Sequence, residues 1–455
     1  MSKGRYFVES YGCQMSMHDA ERLAGLLERD GYVPAQDTAS ADVVVVNTCS
    51  VRERAESKLY TRLGELREEA IAHGREPVVA VAGCVAQQEG EAIARRASHV
   101  DVIVGTQAIR QIGRLADAAR ARTGPHTLVD INPYEDVSFP LGAVRRTDPV
   151  RAWVTIIEGC NDFCSFCVVP YTRGHERMRP ASAILAEVRD AVATGHREIQ
   201  LLGQIVNHYE APDEAGLGFA DLLERVAAVP GVDRLRFASP HPRHVTARLI
   251  DAYRRLPNLA RHLHLPVQSG SSRILAAMRR RHTREQYLDL VARLRDALPE
   301  VALSTDMIVG FPGETPEDFE ETLSLVRTVR FHSMFSFKYS PRPGTLARQR
   351  YADDVSEGEK TRRIVALQEL QRSIQLALHE DMIGTEVDVL VDGASRRREH
   401  EMAGRTSGNT VVNFPGEASW LGQLVRVRVE RAGANSIWGR VVGVEPVPPA
   451  ARWGN

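Results

Sequence analysis

The sequence predicts an α/β protein built from three folded parts. These parts are a doubly wound parallel sheet, a partial barrel of six β/α units and a small antiparallel β-barrel. Apolar runs typical of buried parallel strands alternate with helix-like stretches through most of the chain. The final part instead gives short alternating runs punctuated by glycines. A length of 455 residues also favours more than one domain.

The first part covers residues 1–120, where strand candidates alternate with helical stretches such as His18–Arg29 and Val51–Ala72. β-branched apolar residues dominate these strands, as expected where helices cover both faces of a sheet. A short doubly wound sheet is the architecture that this order favours. The strand candidates are Arg5–Ser10, Asp42–Asn47, Pro77–Ala82 and Val100–Gly105.

The second part covers residues 148–378 and follows a proline-rich linker at residues 121–147. It contains six strand candidates, and helix-like segments follow all but the last. Six strands are two short of a complete β/α barrel, so we expect an open barrel with its site at the carboxyl ends of the strands. The candidates are Val154–Gly159, Glu198–Gly203, Arg234–Ser239, His262–Val267, Leu303–Phe311 and Met334–Ser340.

The third part covers residues 379–446 and follows a helix-forming stretch at Glu357–Glu380. Short alternating runs separated by glycines are typical of a small antiparallel barrel. Residues 447–455 form a tail. The strand candidates are Glu386–Val391, Thr410–Phe414, Leu424–Val429 and Ile437–Val444.

Composition excludes several classes of protein. The formal net charge is −1 and hydrophobic residues make up 43% of the chain, which indicates neither wholesale disorder nor a strongly basic surface. No apolar run approaches the roughly 20 residues of a membrane helix, and the N-terminus lacks an apolar signal segment. We therefore expect a cytoplasmic protein with no membrane partner, and any nucleic-acid site must be a local patch.

The six cysteines fall into two groups of three. Cys13, Cys49 and Cys84 each follow one of the first three strand candidates. The carboxyl ends of parallel strands meet at one edge of a sheet, so these thiols can converge. Three buried structural cysteines are the alternative interpretation. Disulfides are not expected in a cytosolic chain.

The second group lies within eight residues, on the loop after the first barrel strand. Thiolates are the usual ligands of iron–sulfur clusters, and Cys160, Cys164 and Cys167 can hold three irons of a cubane. The fourth iron then stays open to a substrate or cofactor. A zinc knuckle with His175 as fourth ligand is the alternative, but C-x-x-C pairs are more typical of zinc.

Several segments carry a resemblance to a known family. The loop Cys160–Cys167 resembles that of the radical S-adenosylmethionine superfamily. Tyr11–Met15, Asn47–Arg52 and Gly83–Gln87 are similar to the N-terminal domain of its methylthiotransferases. The segment Gly404–Phe414 is similar to a TRAM domain, an RNA-binding β-barrel. Other segments resemble the tRNA-modifying branch: Cys164–Gly174, Ser239–Pro242, Leu265–Ser271 and Thr305–Thr315.

This resemblance implies an enzyme that methylthiolates carbon 2 of isopentenyl-adenosine next to the anticodon of tRNA, using radical chemistry. It implies two [4Fe-4S] clusters, one on each cysteine group, with S-adenosylmethionine bound at the cluster of the second group. One alternative is a methylthiotransferase for threonylcarbamoyl-adenosine tRNA or for a ribosomal protein. Another is a two-cluster redox or RNA-binding protein without turnover.

The resemblance also implies partners and further site residues. Phe166 is expected near the adenine of S-adenosylmethionine, with a packing role as the alternative. The expected partners are a tRNA anticodon stem-loop, an electron donor such as flavodoxin or ferredoxin, and a sulfur or cluster-assembly protein. Polar or glycine positions at strand ends are further candidates for cofactor contacts, namely Gly203, Gln204, Ser239 and Gln268.

The third part contributes the candidate RNA contacts. A basic run and one further arginine are candidates for binding tRNA phosphates, and a solvated surface is the alternative interpretation. These residues are Arg396, Arg397, Arg398 and Arg405.

Two positions depart from the family pattern. Ser16 replaces an Asn after the first cysteine motif, and Ile205 replaces an Asn in the segment Gly203–Asn207. An apolar Ile205 removes a hydrogen-bonding side chain at the end of a barrel strand, where we expect ligands to bind.

Overall fold

The computed structural model describes residues 2–50, 53–121, 127–132, 144–395 and 398–444. The described chain forms a six-stranded parallel sheet, two three-stranded parallel sheets with a small two-stranded one, and a closed barrel of five strands. The predicted fold class is therefore confirmed. Among the helices in these ranges, none has the length and apolar character needed to cross a membrane.

The N-terminal sheet is entirely parallel, with strand order β2-β1-β3-β4-β5-β6. Its strands are β1 (Gly4–Tyr11), β2 (Tyr32–Pro34), β3 (Val43–Thr48), β4 (Val78–Gly83), β5 (Val102–Val104) and β6 (Leu128–Asp130). Its helices are α1 (Gln14–Arg29), α2 (Glu53–His73), α3 (Cys84–Glu89), α4 (Glu91–Arg96) and α5 (Ile112–Arg120).

Strand β3 shows why this sheet is doubly wound. Val43 and Val45 pack into the core on one side of the sheet, whereas Val44 and Val46 pack into the core on the other side. All four side chains are fully buried, which explains the unbroken apolar run in the sequence. The short strand β6 lies inside the segment predicted as a linker and pairs with β5.

The central part is an open barrel made from two parallel three-stranded sheets, β7-β10-β11 and β12-β13-β14, which a bridge between Leu235 and Leu259 connects. Strands β8 and β9 form a separate antiparallel pair. The strands are β7 (Arg151–Thr155), β8 (Ile157–Glu158), β9 (Arg177–Met178), β10 (Glu198–Leu202), β11 (Arg234–Phe237), β12 (His262–His264), β13 (Ala302–Val309) and β14 (Ser333–Lys338).

Helices cover the outer face of this barrel, and their apolar sides build the largest core of the molecule. Helices α11 and α12 each begin with a capping box, formed by Thr283 with Gln286 and by Thr315 with Asp318. The helices are α6 (Val169–Arg173), α7 (Ala181–Ala193), α8 (Phe219–Ala227), α9 (Ala247–Arg255), α10 (Ser272–Ala277), α11 (Arg284–Ala297), α12 (Pro316–Val329), α13 (Leu346–Arg350) and α14 (Glu357–Glu380).

The C-terminal part is a closed five-stranded barrel with strand order β15-β16-β17-β19-β18. Strand β16 was not among the predicted strands. Every second residue of it is buried, but Gly404 and Thr406 are not apolar, so the sequence shows no apolar alternation there. The strands are β15 (Glu386–Ala394), β16 (Glu401–Thr406), β17 (Val411–Pro415), β18 (Leu424–Ala432) and β19 (Ile437–Val444).

This C-terminal barrel docks at the amino ends of the central strands. Arg234 donates to the carbonyl oxygen of Arg405 (2.6 Å), and Arg236 donates to those of Thr406 (2.7 Å) and Ser407 (3.1 Å). A buried carboxylate balances the arginines there. Burial works against ionisation of Glu198, yet Arg236 and other arginines lower its pKa to about 2. The C-terminal barrel thus lies at the opposite end of the central strands from their carboxyl ends.

Candidate active site

The three N-terminal cysteines gather at the carboxyl edge of the first sheet. Cys13 follows β1, Cys49 follows β3 and Cys84 opens α3 directly after β4. From β1 the chain adds β2 on one side of the sheet, and it then adds β3 to β6 on the other side. The point between β1 and β3 is therefore a topological switch point, where ligands of doubly wound folds bind. The Sγ atoms of Cys13 and Cys49 are 3.6 Å apart, and Cys49 and Cys84 are buried.

Two glycines allow this close approach. Gly12 has a φ of +148°, and a Cβ added there would lie 2.2 Å from Cβ of Cys49. Gly83 has a φ of +94°, and its added Cβ would lie 2.4 Å from the carbonyl oxygen of Thr48. A side chain at either position would push the cysteine loops apart. The first cysteine group therefore depends on glycine at two strand ends.

A network of buried charges connects this group to the central barrel. Arg173 in α6 pairs with Asp19 in α1, and Arg22 in α1 lies 2.6 Å from the carboxylate of Glu158. The hydrogen bond from Cys49 lowers the pKa of the Cys13 thiol to about 6, against the effect of burial and with help from the charge of Arg173. Burial raises the pKa of Cys84, and Arg173 opposes that rise.

The second cysteine group lies on the loop between β8 and α6. The amide of Cys160 donates to the carbonyl of Gly174 (3.1 Å), and the amide of Cys167 donates to that of Cys164 (3.0 Å). Ser165 is fully buried, and its hydroxyl donates to the carbonyl of Ala277 (2.8 Å). These bonds fix a short loop that carries all three thiols.

Burial also governs two of the thiols of this loop. Burial raises the pKa of Cys160 and of Cys167 to about 12. The Nη1 atom of Arg280 lies 3.6 Å from Sγ of Cys164, while its Nη2 atom donates to the carbonyl of Pro266 (2.7 Å). A buried guanidinium therefore supplies positive charge to a group of sulfur ligands.

Within the described residues, no three His, Cys, Asp or Glu side chains converge on a point that one metal ion could occupy. An iron–sulfur cluster takes each thiolate on a different iron, so its ligands need not converge in that way. The donor set in each group is three cysteines, none of them in a disulfide. Soft sulfur donors with a buried arginine nearby fit an iron–sulfur cluster in each group.

A cavity of about 590 Å³ borders the second cysteine group and reaches the residue that follows Cys49. Ser50, the residue after Cys49, lines it from the N-terminal sheet. Phe166 and Cys167 line it from the second loop, and Gln268 and Asp306 line it from the central barrel. The structure therefore places Cys167 in the wall of a chamber that the loop following Cys49 also reaches, whereas Cys13, Cys49 and Cys84 themselves are not among its lining residues.

The weaker predicted cofactor contacts are placed differently from one another. Gln268 lines the cavity and has a φ of +80°. Its backbone N–H donates to the carbonyl oxygen of Asp306 (3.0 Å). Among the described residues, Gly203, Gln204 and Ser239 lie outside the cavity lining. The Oε1 atom of Gln204 is buried and has no hydrogen-bond partner within the described part of the chain, so it is free to accept a hydrogen bond from a ligand.

The predicted RNA contacts also differ in their surroundings. Arg396 and Arg397 lie outside the described residues. The side chain of Arg398 is 56% exposed and lies 3.2 Å from Glu401. Arg405 lies at the junction with the central barrel, where its Nε atom is 3.5 Å from the carboxylate of Asp392. Arg398 is therefore the more accessible of the two described arginines.

The two departures from the family pattern are both buried. The carbonyl oxygen of Ser16 accepts a hydrogen bond from Nδ2 of Asn47 (2.6 Å), which ties α1 to the end of β3. Ile205 precedes a short turn in which Asn207 exchanges two hydrogen bonds with the backbone of His241. The anchoring of that turn therefore does not depend on the side chain at position 205.

Sequence analysis missed the buried arginines. Arg280 lies in a run of three arginines whose other two members are exposed, so composition does not reveal which one turns inward. Arg173 lies inside a motif that was used only for the resemblance, and its partner Asp19 is distant in the chain. Position in a recognised motif was the one available signal for Arg173.

Comparison with known families divides the chain into the same three parts. Residues 5–105 match the family described as uncharacterized protein family UPF0004, residues 154–326 match the radical SAM superfamily, and residues 380–442 match the TRAM domain. A structure of the radical S-adenosylmethionine methyltransferase TsrM from Kitasatospora setae is similar in fold. It has a TM-score of 0.58 at 15% identity and covers 76% of this chain and 77% of its own.

Curated relatives match nearly the whole chain. The tRNA-2-methylthio-N(6)-dimethylallyladenosine synthase of Alkalilimnicola ehrlichii is 44% identical over 98% of this chain and 100% of its own length. The synthase of the same name from Geotalea uraniireducens is 43% identical over 96% of this chain and 98% of its own. Such identity across all three parts shows that the chain belongs to the tRNA-2-methylthio-N(6)-dimethylallyladenosine synthase family of radical SAM proteins.

Proposed function

We propose that the protein methylthiolates carbon 2 of isopentenyl-adenosine next to the anticodon of tRNA. The observation that carries this proposal is the cavity lined by Cys167 of the second cysteine group and by Ser50, the residue next to Cys49 of the first. A reaction that joins a radical step to a sulfur-transfer step needs both sites to reach one substrate. Relatives whose names state this product support the same assignment.

Each cysteine group would hold one [4Fe-4S] cluster, with S-adenosylmethionine at the group on the second loop. Bound there, the clusters would supply the electron that cleaves S-adenosylmethionine to methionine and a radical able to abstract the ring hydrogen, and the sulfur of the product, which a second S-adenosylmethionine would methylate. The fit rests on the three free thiols in each group and on the buried, unpaired Oε1 atom of Gln204 beyond the end of β10.

The protein's own residues position the reactants and exclude water. Phe166 and Ile308 give the cavity an apolar wall against which a purine ring packs, and Gln268 supplies an amide at the same wall. Asp306 gives the cavity a carboxylate that accepts hydrogen bonds from N–H groups. Burial of Cys49 and Cys84 keeps their sulfur ligands away from bulk water.

The buried arginines balance the negative charge that thiolate ligands bring. Arg173 lies beside the first cysteine group, paired with Asp19, and Arg280 contacts Cys164 of the second group. Outer residues of this kind orient ligands and tune their electronic properties. Each site therefore has its own cation, fixed by bonds to other parts of the protein.

We further propose the partners of the reaction and where it takes place. The tRNA anticodon stem-loop would contact the C-terminal barrel through Arg396, Arg397, Arg398 and Arg405, as well as the cavity. A flavodoxin or ferredoxin would deliver electrons, and a sulfur or cluster-assembly protein would restore the sulfur consumed. We propose that the reaction takes place in the cytoplasm together with these partners.

Nucleoside analysis of tRNA tests the proposed function. The protein is produced in a bacterial strain that lacks its own methylthiotransferase, and digested tRNA is examined by mass spectrometry. We expect 2-methylthio-N(6)-dimethylallyladenosine with the natural sequence and only the unmethylthiolated nucleoside with Cys164→Ala. Conversion of threonylcarbamoyl-adenosine instead of isopentenyl-adenosine would contradict the proposal. So would a soluble, cluster-loaded protein that converts neither nucleoside.

A further inference from the structure

We propose that Phe335 is a stacking platform for a nucleobase of the tRNA loop, next to the base that enters the cavity. The inference rests on the proposed function and adds a positioning residue to it. The observation behind it is an exposed aromatic ring on the barrel's edge strand, on the same face as Asp306 and Ile308 of the cavity wall. Beside it, His262 and His264 both hydrogen-bond to Ser304, and His264 lies near Asp306.

Strand register places Phe335 on the inner face of the barrel. Phe335 is paired with Asp306 and Phe337 with Ile308, and directly paired residues of parallel strands point to the same side. Asp306 and Ile308 line the cavity on this face of β13, whereas Met307 and Val309 are fully buried in the core beneath the helices on the other face. Phe335 is two residues before Phe337, so it lies about 7 Å farther along the same face, just outside the cavity.

The ring of Phe335 is accessible although it points inward. Phe335 is 53% exposed because β14 is the edge strand of its sheet and the barrel is open there. On one side the ring meets His264 in a T-shaped contact, with centroids 6.2 Å apart. This contact restricts the orientation of the ring and leaves more than half of the residue available to a ligand.

The neighbours of the ring suit a nucleobase rather than an aliphatic or protein side chain. Asp306 presents a carboxylate on the same face, and Nε2 of His264 lies 3.4 Å from it. Nδ1 of His264 lies 2.9 Å from the hydroxyl of Ser304, which is also 2.9 Å from Nε2 of His262. An aromatic face for stacking beside polar groups for the base edge is how proteins read single-stranded RNA.

The position along the barrel also suits the loop of a tRNA. The C-terminal barrel binds the central barrel at the amino ends of the strands, and the cysteine loops lie at the carboxyl ends. Phe335 lies between these two regions on the open edge. An RNA strand that contacts the C-terminal barrel and delivers one base to the cavity passes this ring, and a stacked neighbour holds the strand in register.

The test measures binding of an anticodon stem-loop RNA that contains isopentenyl-adenosine and carries 2-aminopurine at an adjacent loop position. The probe is titrated with cluster-loaded protein. We expect Phe335→Ala to weaken binding roughly 5- to 100-fold, the range of one lost base–aromatic stack, and to abolish the 2-aminopurine quenching seen with the natural protein. The dependence of affinity on salt should stay unchanged, since no charge is removed.

Three further variants separate stacking from packing. Phe335→Tyr and Phe335→Trp keep an aromatic face and should restore both affinity and quenching. Phe335→Leu keeps apolar bulk without an aromatic face and should behave like Phe335→Ala. Ile71→Ala removes another exposed apolar side chain, 73% exposed and near the end of α2, and should bind like the natural protein.

Two results would overturn the platform. One is a Phe335→Ala variant that binds the RNA and quenches 2-aminopurine as well as the natural protein does. The other is a Phe335→Leu variant whose affinity and quenching equal those of Phe335→Tyr. Cleavage of S-adenosylmethionine without RNA reports whether each variant is folded and loaded, and it should match the natural protein throughout. Failure of the proposed function looks different, since the natural protein would then bind or modify a different substrate and ignore this RNA.

Discussion

The two cysteine groups use the same ligands but are built in opposite ways. The first draws Cys13, Cys49 and Cys84 from the ends of three strands and depends on the whole N-terminal sheet. The second places Cys160, Cys164 and Cys167 on one short loop that local hydrogen bonds hold. The first site is therefore vulnerable to changes far away in sequence, whereas the second is vulnerable mainly to changes in its own loop.

The two groups also differ in their electrostatics. In the first, a hydrogen bond from Cys49 lowers the pKa of Cys13 to about 6 although burial raises that of Cys84, whereas in the second burial raises the pKa of both Cys160 and Cys167 to about 12. Neutral thiols are therefore the stable forms of Cys160 and Cys167 without metal, so these two ligands release protons when metal binds. The same ligand type thus serves two environments, and variants can separate their roles.

The largest expected effect separates the two groups by activity. Cys84→Ala should abolish methylthiolated product while cleavage of S-adenosylmethionine continues, because the second loop is intact. Cys164→Ala should abolish both. Product by mass spectrometry and 5′-deoxyadenosine by chromatography are measured in the same reactions. Methylthiolated tRNA formed by Cys84→Ala at the natural rate would remove the first group from the reaction.

The next effect tests whether the first group depends on strand ends. Gly83→Ala would place a Cβ 2.4 Å from the carbonyl oxygen of Thr48, so the loops that carry Cys49 and Cys84 must separate. We expect loss of one cluster's iron and retention of the other. Gly384→Ala is a matched control, since its φ of +83° imposes similar strain and no atom lies within 4 Å of the added Cβ. Equal iron content in the two variants would contradict this dependence.

A smaller effect concerns the buried ion pair between Asp19 of the N-terminal part and Arg173 of the central part. Arg173→Met leaves the Asp19 carboxylate buried without this partner, and we expect the free energy of unfolding to fall by about 3–5 kcal/mol. Adding Asp19→Leu removes the carboxylate, which among the described residues then has only the Arg22 guanidinium 3.7 Å away, and should restore much of the loss. Urea unfolding of the two variants measures both values. A double variant no more stable than Arg173→Met would refute the pairing.

The smallest effect is local to the second loop. Arg280→Gln keeps a hydrogen-bond donor but removes the positive charge 3.6 Å from Cys164. Loss of such an outer partner typically lowers metal affinity by about 10- to 100-fold, so iron should leave the second loop at lower chelator concentrations. Arg279→Gln, an exposed neighbour in the same run, is the control. Iron lost equally from the first group would show that the two sites are not separable.

Sequence patterns predicted much of this arrangement, for identifiable reasons. Apolar runs such as Val43–Val46 mark buried parallel strands, and the cysteines that follow such runs must gather at one edge. The contact between Arg173 and Asp19 joins residues 154 positions apart, and no local pattern encodes it. The docking of the C-terminal barrel uses backbone carbonyls of Arg405 and Thr406, which leave no trace in side-chain composition.

The most direct test of the account counts clusters in three proteins. Iron and sulfide are measured after anaerobic reconstitution, with Mössbauer spectra to identify the cluster type. We predict two [4Fe-4S] clusters in the natural protein. We predict one cluster in the variant with alanine at Cys13, Cys49 and Cys84, and one in the variant with alanine at Cys160, Cys164 and Cys167. A single cluster in the natural protein, or loss of both clusters from either folded variant, would contradict two separately built sites.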